Sequence, residues 1–111
     1  MPDLLIRVRE ILADPEHWTK DSFARDDNGY FIDPTEPVAR CFCLDGALIR
    51  AAHELHPEVN TSNPYRFGEY RDAADRLSNF AGRNHLQFND DPETTHADVL
   101  ALIDKAIANA D

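Results

Sequence analysis

No apolar run in this chain approaches the roughly 20 residues a membrane-spanning helix requires, so no such segment is expected within it. The opening Met1-Pro2-Asp3-Leu4-Leu5-Ile6-Arg7 lacks the basic stretch and long apolar core of a secretory leader. Glycine is sparse and scattered, at Gly29, Gly46, Gly68 and Gly82, which excludes a glycine-rich phosphate loop. Cysteine is limited to Cys41 and Cys43, one residue apart. Ring strain disfavours a disulfide at that spacing, and two free thiols fit a reducing cytoplasm. Positive charge is also short: 11 basic residues stand against 21 acidic ones, a net charge of -10. Such a surface repels phosphate backbones and anionic membranes, so direct binding of nucleic acid or membrane is not expected. It keeps a small protein soluble and attracts cations or proteins with a basic surface. Internal repeats and low-complexity tracts are missing.

What is present fits one globular helical domain over residues 1–111. Hydrophobic residues make up 42% and charged residues 29%, enough to close a single core. A first helix is expected from about Leu4 to Ala13, with Asp3 as N-cap and Leu4, Leu5, Val8, Ile11 and Leu12 on one face. Ile6 falls outside that stripe. Asp14-Pro15 ends the helix. Asp26-Asp27-Asn28-Gly29, between Ser22–Arg25 and Tyr30–Ile32, is a hairpin signal, because Asn-Gly tolerates positive φ. A lone hairpin is marginal in water, so Trp18, Phe23 and Tyr30 are expected to pack it on the helices.

A second helix is expected over about Val38 to Leu55. Cys41, Leu44, Leu48, Ala51, Ala52 and Leu55 share one face, with Phe42 and Ile49 on another. A helix apolar on two sides is usually central. Gly46 costs it about 1 kcal/mol relative to alanine, a cost that makes sense if another backbone approaches there. Pro57–Pro64 reads as a polar loop. A third helix fits Arg66 to Ala81, ended by Gly82. Asn84 to Glu93 reads as a second loop. A fourth helix starts near Thr95 or His96, where Thr95 and Asp98 resemble a capping box. The expected fold is mainly α: a compact four-helix domain with a small β-hairpin between helices 1 and 2.

The chemistry-bearing candidates are Cys41, Cys43, Asn89, Asp90 and His96. A thiol at a helix start becomes reactive, and Cys41 paired with His96, oriented by Asn89 or Asp90, would make a nucleophilic pair. Against this, Cys41 lies on the apolar stripe as a small core residue would, and Cys43 faces the other way. His53 and His56 share a helical face but lack a matching second ligand pair, and Asn89-Asp90-Asp91 lacks the repeat of a calcium loop. No metal and no cofactor is therefore expected. His96 reads as a structural bridge, its ring bonded to loop backbone or to a carboxylate such as Asp90, ahead of a role as catalytic base.

Trp18-Thr19-Lys20, Phe23-Ala24-Arg25, Cys41-Phe42-Cys43-Leu44-Asp45-Gly46-Ala47-Leu48, Phe88-Asn89-Asp90 and Thr95-His96-Ala97-Asp98-Val99 together carry a resemblance. The chain resembles a family of small bacterial and phage-encoded proteins of unknown function. Their pattern is an early Trp segment, a Cys-x-x-Gly-Ala helix, an aromatic-Asn-Asp turn and a Thr-His helix start. Phe88 stands where many relatives carry tryptophan, which keeps the aromatic role. The resemblance implies a shared fold, and one neighbourhood formed by Cys43, Gly46, Asn89, Asp90 and His96.

Acidity without a complete catalytic set points to a non-enzymatic accessory domain that binds a protein with a basic surface, or that mimics nucleic acid. The alternatives are a small hydrolase or ligand-binding protein using Asn89, Asp90 and His96, and an oligomeric structural protein, a homodimer for example, joined through Ile6 or the aromatic set.

Overall fold

Leu4, Leu5, Val8 and Leu12 recur at helical spacing and all are buried, whereas Ile6 is exposed. They define the inner face of α1 (Asp3–Ile11) in the computed structural model, which describes residues 3–109. Met1 and Pro2, the head of the segment read for a leader, lie outside the described residues. A single 3-10 turn at Pro15–His17, capped by the Asp14 carboxylate, follows. Then come β1 (Ala24–Arg25), β2 (Cys41–Phe42) and α2 (Leu44–Leu55). A 3-10 turn at Pro64–Arg66 leads into α3 (Gly68–Ala81), followed by α4 (His85–Asp90) and α5 (His96–Ala108). The protein is mainly α-helical with a small antiparallel hairpin, and no described helix is long and apolar enough to cross a membrane.

The core is built around α2, which packs against α1, α3 and α4. Every residue from Leu44 to Ile49, and Ala51 and Ala52, is buried, as a helix apolar on two sides demands. α5 closes the core with Val99, Leu102, Ile103 and Ala106. Its start is the expected capping box: the Thr95 hydroxyl accepts from Asp98 N–H, and the Asp98 carboxylate accepts from Thr95 N–H. Gly82 ends α3 at φ 75°, the left-handed cap its position suggests.

Four expectations are corrected. The described residues form five α-helices, because Asn84–Glu93 is not all loop: Asn84 caps Leu86 N–H and Gln87 N–H, and α4 forms behind it. α2 starts at Leu44 rather than Val38, because Cys41–Phe42 is drawn into a strand against Ala24–Arg25. The Asn28-Gly29 turn does form, with Gly29 at φ 82° and Arg25 bridging Phe31, but the paired ladder is β1 with β2. Trp18 packs against the core, whereas Phe23 and Tyr30 stay exposed and do not anchor the hairpin.

Candidate functional site

The first turn of α2 is the polar centre of the molecule. Its orphan N–H groups need acceptors. Cys43 is the N-cap, and its Sγ accepts from Gly46 N–H at 3.2 Å. Leu44 N–H is capped from another element, by Asn89 Oδ1 of α4 at 3.1 Å. The same oxygen accepts from Trp18 Nε1–H at 2.7 Å. Asn89 Nδ2 donates to Thr19 O at 3.2 Å and to Asp90 Oδ1 at 2.9 Å. An amide has two acceptor and two donor positions, so the buried Asn89 is saturated. Two donors facing Oδ1 and two acceptors facing Nδ2 also fix which way the amide points.

Asp90 Oδ1 further accepts from Asp21 N–H at 3.0 Å, tying α4 to the segment before β1. His96 donates its ring to neither Asp90 nor a cysteine: Nε2 bonds Leu12 O at 2.6 Å, at the end of α1. Its ring lies 5.9 Å from that of Trp18. Trp18 thereby links His96 to the Asn89 cluster, while Cys43 and Asp90 line one open cleft of about 360 Å³ with Ser22, Phe23 and Leu86. Cys41 stands apart on β2, opposite Arg25. The two cysteines exchange the positions read for them. Cys43 is buried and Cys41 is half-buried, because the chain is extended there rather than helical.

Burial pushes the Cys43 thiol up from 9.0 to about 12, with the Asp45 and Asp90 charges adding and the Gly46 N–H opposing. A thiol so held is protonated and unreactive at neutral pH. Between pH 9.0 and about 12 the unfolded chain binds fewer protons at Cys43 than the folded one, so stability falls as pH rises through that window. The urea midpoint of the wild-type protein should drop more steeply across it than that of Cys43→Ala. Iodoacetamide should label native Cys41 ahead of Cys43.

Sequence reasoning missed a second constellation. Asp45, one residue into α2, is buried with its Oδ1 accepting from Tyr70 O–H of α3 and bonded to His85 Nε2 of α4 at 2.7 Å. His85 Nδ1 lies 3.1 Å from Ser78 Oγ, which also accepts from His85 N–H at 3.0 Å. The network closes simply if the Ser78 hydroxyl donates to Nδ1 and Nε2–H donates to Asp45. Burial and the Asp45 charge drive the Tyr70 ionisation upward, keeping the phenol a donor. The chain Ser78–His85–Asp45 has the composition of a nucleophilic triad, but neither Ser78 nor His85 is among the residues lining the cleft that includes Asp45. The signal was present: Asp45 falls four residues before Ile49, on the second apolar face of α2, where a carboxylate requires partners.

Asp45 Oδ1 holds both partners, and among the described residues Oδ2 carries no hydrogen bond. Among the described residues no fully buried side-chain polar atom lacks a partner, so Oδ2 is not fully buried. Asp45 lines an open cleft of about 450 Å³, together with Phe23, Asp33, Tyr65 and Tyr70 and the 61–64 loop. The Tyr65 and Tyr70 rings meet edge to face at 5.3 Å and 86°. Asp33 is held in the charged form by the Thr35 hydroxyl and N–H, which lower its pKa.

Fold and site together define a small helical domain in which the start of α2 is locked by a buried polar network and the buried Asp45 lines a cleft with aromatic walls. The chain belongs to the family of unknown function DUF6197, which matches it over residues 1–109. No curated protein and no solved structure matches it.

Proposed function

We propose that this protein is a non-enzymatic accessory domain of the reducing cytoplasm that binds a partner protein through a basic segment. The observation that carries the reading is the cleft over Asp45. Its lining includes two carboxylates, Asp33 and Asp45, and the half-exposed rings of Phe23 (48%) and Tyr65 (53%), and it contains no lysine, arginine or histidine. Exposed aromatics beside acids accept the stems and charges of basic side chains. Phe31, 70% exposed, extends the apolar surface through an adjoining cleft that also includes Phe23 and Asp33.

The arginines of a separate cleft are already paired with carboxylates. A cleft of about 620 Å³ includes Arg7, Arg40 and Arg50, paired with Glu54 at 2.6 Å, Asp27 at 3.3 Å and Glu54 at 2.8 Å respectively. An anionic partner would find little free positive charge there.

Calorimetric titration with oligolysine and with oligoglutamate tests the proposal. Oligolysine should bind, and its affinity should fall steeply as salt rises past about 0.1 M, where exposed charges more than about 10 Å apart are screened. Equal binding of both peptides, or binding of neither, would contradict it.

A further inference from the structure

We infer that the cleft over Asp45 is a subsite for a single lysine ammonium of the partner, with Asp45 Oδ2 and the Asp33 carboxylate as its acceptors. The inference rests on the basic-partner reading and names the side chain it selects. Asp45 is a built acceptor: its side chain is 6% exposed, its Oδ1 is fixed by Tyr70 and His85, its remaining oxygen is unpartnered without being fully buried, and the residue lines the cleft. A carboxylate held from behind by two donors, each on a different helix, needs no reorganisation when a cation arrives.

The occupied Oδ1 decides between cations. Arginine binds carboxylates best through a fork of two parallel N–H bonds, one to each oxygen. Here one oxygen is already engaged by two donors, leaving a single acceptor. A compact ammonium with three rotatable donors suits one carboxylate oxygen and a second acceptor such as Asp33. The exposed rings of Phe23 and Tyr65 stand where an aliphatic stem would lie, and the stem gains by covering them.

Three short peptides, identical except for one central lysine, arginine or norleucine, provide the test, read by titration against the full chain. The lysine peptide should bind about ten-fold or more tighter than the norleucine peptide, the value of one charge-assisted hydrogen bond, and tighter than the arginine peptide. Asp45→Asn keeps an Oδ1 acceptor for Tyr70 and His85 and replaces only the unpartnered oxygen, so it should abolish the lysine preference. Asp33→Asn retains the Thr35 turn and should weaken the lysine peptide several-fold, with only a small fall in melting temperature from the weaker Thr35 bonds. These two results do not depend on each other, so a poorly folded Asp45 variant leaves Asp33→Asn and the peptide series decisive. Equal affinity for lysine and norleucine, or preference for arginine, would overturn the subsite. If oligolysine still bound with salt sensitivity, the basic-partner reading would survive. Failure of oligolysine as well would remove both.

Discussion

Asn89→Ala should lower stability by about 3–5 kcal/mol, a large share of the roughly 5–15 kcal/mol that holds a domain of this size together. The substitution removes both acceptor bonds and both donor bonds of the saturated amide. It leaves Leu44 N–H without its cap and Trp18 Nε1–H without an acceptor, and each unpaired buried donor costs about 1–3 kcal/mol. Trp18 is the sole tryptophan, so its fluorescence reports the same event locally. Its emission should shift to the red in the folded variant, together with a lower urea midpoint. A variant that melts within about 1 kcal/mol of wild type would mean that water replaces the amide at little cost.

Gly46→Ala should be as damaging, for a steric reason. A Cβ at this position would lie 1.8 Å from the Phe23 carbonyl oxygen and 2.8 Å from its carbon. Both are backbone atoms, so no rotamer change relieves the clash, and Phe23 O also accepts Cys43 N–H at 3.3 Å. The gain of about 1 kcal/mol in helix propensity is outweighed, and a net loss of about 3 kcal/mol or more is expected. For a domain of about 100 residues that corresponds to a fall in Tm of more than about 10 °C. Gly68→Ala is the control. Its nearest neighbour would be the Arg71 guanidinium at 3.8 Å, an ordinary contact, so Tm should hold or rise slightly.

The close approach at Gly46 was legible because a glycine amid strong helix formers carries a propensity cost that only packing can offset. The capping box at Thr95 and the left-handed cap at Gly82 were legible for a similar reason, each being local chemistry with its own residue signature. Other features are not local. Cys41 and Phe42 continue the apolar spacing of α2 almost without a break, and only pairing with Ala24–Arg25, far away in sequence, makes them a strand. The six residues of α4 are too few to show a helical period.

The site was legible in part. Asn89, Asp90, Cys43 and Gly46 do meet at the head of α2, and His96 joins them only through Trp18. Asp45, His85 and Tyr70 went unseen because His85 falls in the stretch read as loop, and because Asp45 lies among residues that read as core. The exposure of Phe23, which the hairpin reading placed inside, turns that ring into a wall of the cleft.

The decisive property is where a basic ligand touches the chain. Two-dimensional NMR of the labelled protein titrated with oligolysine measures this directly. Shifts concentrated on Phe23, Asp33, Ile49 and Tyr65 are the expected result. Shifts spread evenly over the acidic surface, or centred on Arg7, Arg40 and Arg50, would contradict it.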